Sequence, residues 1–492
     1  MPSGTRPLGW LGALPIAARG SRCKPRGPAR ELPPPVSAMS RSVSAMMVEG
    51  LDTRSELESV LSKALEASKA DETEALVAAS DHSLTRFTHN AIHESVNERN
   101  CQLSVRAVVG KRTGVAATNK LDAENVAAVV RRAHDIALLS TDDEQFPGLP
   151  YGSTQAADLP DAFDPATASA SADMRAAAVA QIAAVMRVHN LYAAGYVSTQ
   201  SDAIAIANSK GTRRYYQGSD SAINIKAIGP DSSGFAEGFS RKFSSLNPSA
   251  LAEGAAKKAR DSANPRALEP GAYTVVFEPP AFREFIGYLS WIGFGAQPFD
   301  EGSSFMAGNI GSKIVGDEVT IRDDFSHPLG DGMPFDFEGV PRQQVTLVDK
   351  GVARNVVYDS YYAAKLGHVN TGHALPAPNS EGPLPLNIVV EPGTTSEEDL
   401  IKDVKHGVLV SRSWYIRLVD QKQTIITGMT RDGLFLIERG RVTRGLKNMR
   451  FNESIIGALG RCRLANKLVR SENHVVPTVR IDDFHFSSGT EF

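Results

Sequence analysis

Eleven histidines and three cysteines are the residues of this chain best suited to hold a metal or activate a nucleophile. His89 and His93 stand four apart, but the alternation around Phe87 and Ile92 is strand-like and places them near a sheet edge, as a surface pair. His368 and His373 flank Val369-Asn370-Thr371-Gly372, a spacing that serves neither a helix face nor a strand face. Turn hydrogen bonding is the expectation for them, with a loop-built site as the alternative. Cys462 lies between Arg461 and Arg463, which would lower the pKa of an exposed thiol, yet no His or Asp motif adjoins it. Cys23, Cys101 and Cys462 are odd in number and scattered, so they give neither a disulfide framework nor a CxxC pair. That usage suits a reducing, cytoplasmic compartment. GxGxxG, GxxxxGKS/T, GxSxG, HExxH and DxDxDG are all absent from the sequence.

Such residues act only where secondary structure holds them. Thr53 and Glu56 have capping-box spacing, and Leu57, Val60, Leu61, Ala64 and Leu65 then mark one face of a helix. Cys101 to Val109 alternates as a half-buried strand, and Gly110-Lys111-Arg112-Thr113-Gly114 turns it into a second strand ending at Thr118. Asp122 to Leu139 has helical spacing. A Pro/Gly-rich link at 146–152 ends this unit. An Ala-rich helix over 172–189 follows, then short strands with tight turns, and a helix that begins at Pro248 and runs to about Ala263. A second link spans 264–271. From Tyr273 the sequence is rich in strands and glycines. The fold class is therefore α+β: a helix and β-meander unit over 50–145, a central α+β unit over 153–264, and a larger strand-rich domain over 272–490.

Residues 1–47 read as a disordered or mis-started extension. Eight prolines fall in the first 35 positions without any sustained period. Leu8 to Ala18 has the apolar content of a short signal-peptide core, but Pro15 interrupts it. Met39, Met46 and Met47 are alternative starts. The segment carries seven basic residues and one acidic residue, so its charge of +6 leaves −9 on the remaining chain, whose total is −3. An acidic body repels phosphate backbones and argues against nucleic acid as a partner. No run of eighteen apolar residues exists to span a bilayer, so no membrane role is expected.

Longer segments carry a resemblance. Ser83 to His93, then Glu98-Arg99-Asn100 and Gly110 to Asn119, resemble the N-terminal domain of the TldD/PmbA family. Asn370-Thr371-Gly372-His373-Ala374 and Pro385-Leu386-Asn387 to Gly393 resemble its glycine-rich and N-x-x-x-x-P-G segments. Trp414-Tyr415-Ile416-Arg417, Gly428 to Gly433 and Lys447 to Glu453 complete a match covering about residues 50–490, in family order.

The resemblance implies a metallopeptidase setting. TldD-type subunits of the family carry HExxxH, with two His ligands for zinc, a Glu beside the attacking water, and a Cys from the C-terminal region. Such a set leaves one zinc position open for water, whose pKa falls toward neutrality. In this chain the matching stretch is Pro280 to Tyr288. Glu284 and Gly287 keep their places, but Arg283 and Tyr288 stand at the two ligand positions. A guanidinium stays protonated and cannot ligate a metal. The resemblance therefore implies a PmbA/TldE-like subunit with no metal and no catalytic residue of its own. Zinc would reside in a TldD-type HExxxH partner, and a homodimer is a second assembly open to the chain. The implied substrates are unfolded peptides or small proteins, bound extended along a sheet edge. Glu284, Phe305, His373 and Arg417 are the candidate cleft residues, and Gly293 to Phe305 is expected to form a flexible lip. Arg283 and Glu284 could equally be a simple ion pair on a helix whose Phe282, Phe285, Ile286 and Leu289 face the core. Trp414 to Arg417 is expected as a buried strand. A non-enzymatic regulator or scaffold, of the gyrase-modulator kind, is the alternative role, and a hydrolase with another nucleophile is a third.

Overall fold

A computed structural model describes residues 54–152 and 155–490. The proline-rich extension, Cys23 and Thr53 lie outside the described residues. The first module begins with α1 (Arg54–Glu66), followed by β1 (Glu72–Thr88), β2 (Ala91–Val109), β3 (Arg112–Thr118) and α2 (Ala123–Leu139). After the short α3 (Pro165–Ala168), a second module repeats that order. It comprises α4 (Ala172–Val188), β4 (Tyr192–Asn208), β5 (Arg213–Ile228), β6 (Ser233–Ser240) and α5 (Pro248–Asp261).

The two modules, expected as separate units from their composition, share one six-stranded antiparallel sheet ordered β3-β2-β1-β4-β5-β6. The seam is the long pairing of β1 with β4, from Glu74 opposite Asn208 to Phe87 opposite Gly195. Each module buries its own core under its own helices. Leu57, Leu61, Val126, Val130 and Ala133 pack on Val77, Leu103 and Val105 in the first. Ile182, Met186, Ala252, Ala255 and Ala256 pack on Phe87, Val197, Ile223 and Ile225 in the second. Even the closest helix–strand contact is duplicated. A side chain at Gly114 would overlap the backbone of Ala133 and Ala137, and one at Gly234 would overlap that of Ala255 and Ala259. Glycine in β3 and β6 lets α2 and α5 settle onto the sheet.

The other sheet face is covered by the C-terminal domain. Met333, Phe335 and Phe337 pack there on Leu76, Ala78, Ile204 and Ile206. That domain comprises β7 (Gly271–Phe277), α6 (Pro279–Gly293), α7 (Ala296–Asp300), β8 (Ile321–Asp323), β9 (Val345–Asp349), β10 (Val352–Ala353) and α8 (Ser360–Leu366). It continues through β11 (Ile388–Val390), α9 (Glu397–Lys402), β12 (His406–Val410), β13 (Ser413–Asp420) and β14 (Ile425–Thr430). It ends with β15 (Leu434–Glu438), β16 (Arg441–Gly445), β17 (Met449–Ser454), α10 (Ile455–Leu459), β18 (Cys462–Ser471) and β19 (His474–Gly489). The main path of its mixed sheet is β10-β9-β8-β11-β19-β7-β12-β15-β16, and β13 is reached through β14 and β17. Phe277, Phe285, Phe451 and Phe484 meet mostly edge-on at 5.0–5.8 Å, with Phe285 and Phe484 stacked at 6.1 Å, and fix α6 against the sheet.

Buried ion pairs tie the layers together. Arg106 in β2 reaches Glu74 at 2.9 Å and Glu338 of the C-terminal domain at 3.2 Å. Arg470 in β18 reaches Asp220 in β5 at 2.8 Å and its own domain's Asp331 at 2.9 Å. Among the described residues, no helix is long and apolar enough to cross a membrane.

Candidate functional site

Helix α6 carries the degenerate motif, and its start is set by Pro279 and Pro280 following Glu278. Phe282, Phe285, Ile286 and Leu289 are buried, as their spacing predicts. Positions 283 and 288 then point about 140° apart around the helix. Arg283 turns toward the hairpin between β18 and β19. Its Nη1 lies 2.9 Å from Glu472 and its Nη2 lies 2.9 Å from Glu284. Tyr288 turns the other way and donates its hydroxyl to the carbonyl of Ile416 in β13 at 2.8 Å.

The neighbourhood of Arg283 is drawn from both layers. Glu237 of β6 accepts a hydrogen bond from Ser471, and Tyr196 of β4 lies within electrostatic reach of Arg283 and Glu472. Burial acts against the Arg283 charge, but Glu284, Glu472 and Glu237 outweigh it and keep the guanidinium protonated. Burial raises Glu284 and Glu237 above the usual carboxylate range, and Arg283 opposes that rise in both. Burial also pushes the Tyr196 phenol up to about 12, with Glu472 and Glu237 adding to the effect. His474 packs on Gly287 and is held neutral, its pKa lowered to about 3 by burial and by Arg283.

These residues do not fit a zinc ion. Arg283 places a fixed positive charge at one ligand position, and the Tyr288 hydroxyl is committed to a carbonyl at the other. Among the described residues, no group of three or more His, Cys, Asp or Glu is arranged to hold a metal. Cys462 packs on the C-terminal core, its thiol directed to the Leu459 carbonyl. Burial, with Glu318 nearby, pushes that thiol up to about 12, the opposite of an activated nucleophile.

The remaining candidates are dispersed. His373 is fully buried and lines no cleft; its Nδ1 bonds Thr371 at 3.0 Å and its Nε2 lies 3.1 Å from Asp323. His368 stacks on Tyr358 instead of joining it. Phe305 is also core: it meets Phe294 edge-on at 5.3 Å and fills the space above Gly293. Its exposed edge joins Lys422, Thr424, Ser454 and Ile456 around a cavity of about 280 Å³ that none of the motif positions lines. The segment from Gly293 to Phe305 is not a loose lip. Residues 296–300 form α7, and buried Ser304 donates to the Gly293 carbonyl at 2.7 Å. His89 occupies the β1–β2 turn at φ 50°, and His93 is exposed on β2.

Arg417 is the cleft candidate that does sit beside the motif, within electrostatic reach of Tyr288. The strand that carries it differs from expectation. Trp414 is 40% exposed and Tyr415 is 61% exposed. Tyr415 has φ 53°, and the β13–β14 register shifts between Trp414 and Arg417, which turns consecutive aromatic side chains outward. Arg412, Glu237, Glu472 and His474 carry no local sequence signal. They meet only because β6, the β12–β13 connection and the β18–β19 hairpin converge on α6.

Comparison with known proteins places this geometry in a lineage. The metalloprotease PmbA of Escherichia coli O157:H7 is 25% identical over 404 residues, covering 78% of this chain and 86% of that one. The fold of TldE from Thermococcus kodakarensis superposes with a TM-score of 0.79 at 20% identity, covering 88% of this chain and 99% of that one. A Thermotoga maritima protein provisionally designated a modulator of a DNA gyrase superposes with a TM-score of 0.78 at 17% identity, covering 87% and 100%. Residues 73–137, 156–263 and 270–488 match, in order, domain 1, the central domain and the C-terminal domain of the PmbA/TldA metallopeptidases. The chain belongs to the PmbA/TldD metallopeptidase family.

Proposed function

We propose that this chain is the metal-free, PmbA/TldE-like subunit of a heteromeric metallopeptidase that degrades or processes unfolded peptides and small proteins in the cytoplasm. The observation that carries the reading is α6, where Arg283 is clamped between Glu284 and Glu472 and Tyr288 is bonded to Ile416. Both positions that would ligate zinc are committed to internal contacts, so the metal must come from a TldD-type partner with an intact HExxxH. In that assembly this chain holds substrate. Strand β13 pairs with β14 alone among the described residues, leaving one edge able to accept an extended peptide. Backbone pairing at such an edge binds many sequences.

The test is cleavage of an unstructured reporter peptide by this chain, by an HExxxH-bearing partner and by their mixture, with and without a chelator. The mixture is expected to co-elute as one complex and cleave in a chelator-sensitive way, while this chain alone does not cleave. Chelator-resistant cleavage by this chain alone would overturn the assignment.

A further inference from the structure

We propose that the outward face of β13, with Arg431 beside it, recognises an acidic segment of an extended peptide. The inference deepens the substrate-holding role above and rests on it. Two guanidinium groups stand over the Trp414 ring, Arg412 at 4.9 Å and Arg431 at 5.0 Å from its centroid. Arg412 also covers Phe235 at 4.3 Å, and Arg417 covers Tyr415 at 4.3 Å.

The charges of these arginines are not equivalent. Arg412 pairs with Asp432 at 3.1 Å, a carboxylate it shares with Lys226 at 2.7 Å. Arg417 and Arg431 have no carboxylate within ion-pair distance among the described residues; Arg417 donates to the Ile416 carbonyl at 2.8 Å and to the Tyr288 hydroxyl beside it. Stacking on an aromatic face fixes a guanidinium plane and leaves its N–H edge pointing outward, which lowers the entropy cost of gripping a carboxylate. Two such arginines flank the exposed Trp414 and Tyr415 on a strand that pairs with β14 alone among the described residues, its Ile416 carbonyl being taken by Tyr288. A strand added there would bring alternate side chains over the strip. Glu or Asp would answer the arginines, and the rings would cover the aliphatic stems between them.

Single-stranded nucleic acid also stacks on aromatic and arginine side chains. The surroundings favour the peptide. Glu284 on α6 lies within electrostatic reach of Arg412 and of Glu472, and Asp420 ends β13 itself. They oppose a continuous phosphate backbone more than the spaced carboxylates of a peptide.

The test uses the full chain alone and measures anisotropy of labelled unstructured peptides built from Glu, Ser and Gly, with Gln and Lys replacing Glu in matched versions. The Glu peptide is expected to bind roughly tenfold tighter than the Gln peptide, and the preference should shrink as salt is added. Arg417→Gln and Arg431→Gln should each weaken it at least about threefold, while Arg439→Gln with Arg441→Gln, on the far edge at β16, should not. Equal binding of Glu and Gln peptides, or equal loss in the β16 control, would overturn the proposal, as would tighter binding of an oligothymidylate. The salt-dependent preference of the unaltered chain decides the matter even if a variant misfolds. Acidic-peptide binding without any chelator-sensitive cleavage by the mixed subunits would sink the heteromer reading and leave the strip standing.

Discussion

Arg283 does the work of a cation among three carboxylates, which makes it costly to remove. Taking away one partner of a buried pair costs about 3–5 kcal/mol, because the remaining charges face each other unpaired. Arg283, Glu284 and Glu472 are only partly buried and water screens them, so Arg283→Ala should lower stability by less, about 1–3 kcal/mol in urea unfolding at neutral pH, while Arg283→Lys loses less still. An unchanged midpoint for Arg283→Ala would show that Glu284, Glu472 and Glu237 find water or each other's protons instead. His474, which packs against α6 at Gly287, gives a pH signature. Its folded pKa of about 3 lies below the ordinary histidine value of about 6.5, so the fold favours the neutral ring. Its contribution is complete above pH 6.5 and declines as pH falls, by about 1.4 kcal/mol for each unit down toward pH 3. The stability difference between the native chain and His474→Gln should shift by about 1 kcal/mol between pH 6.5 and 5.5, where the unfolded ring starts half protonated. A pH-independent difference would mean the ring is solvated in solution.

At the scale of elements, the duplicated glycines make a paired prediction. Gly114→Ala and Gly234→Ala each force a methyl group into the backbone of a packed helix, an overpacking that costs about 1–3 kcal/mol or more. Both should destabilise comparably, since α2 on β3 and α5 on β6 are the same contact made twice. If one variant were neutral by thermal melting, the equivalence of the modules would fail. Much of this level was legible in the chain. The helices over 123–139, 172–188 and 248–261 follow from period and caps, because those signals are contiguous. What could not be read was long-range pairing. Nothing local to β1 or β4 says that they are neighbours, so the two modules looked like separate units. Trp414 to Arg417 misled in a different way: its alternation is real, but the left-handed backbone at Tyr415 breaks the rule that every second side chain is buried. The site suffered most. Glu237, Glu472 and His474 belong to different elements, and only the packing of the C-terminal domain on the six-stranded sheet brings them to Arg283.

At the scale of the whole molecule, the question is how firmly the sheet layer and the C-terminal domain are joined, since β13 and the Arg283 cluster lie along their boundary. The apolar part of that boundary, Met333, Phe335 and Phe337 on Leu76 and Ile204, is supplemented by Arg106 and Arg470. Arg470 is the stronger test because its side chain is 4% exposed and makes hydrogen bonds to both oxygens of Asp220, at 2.8 and 3.0 Å. Burial raises Asp220 to about 6 even with that partner, and Asp331 adds to the rise. Without Arg470 the two carboxylates would face each other across the boundary at neutral pH. Arg470→Met should therefore loosen the layers, giving two resolved transitions in calorimetry where the native chain gives one, and faster proteolysis in the 264–271 link. Asp220→Asn added to Arg470→Met should recover part of the loss by removing the unpaired charge, a coupling readable as a double-mutant cycle. If Arg470→Met melts as one transition within a degree of the native chain, the apolar contacts alone hold the layers, and the latch contributes only register.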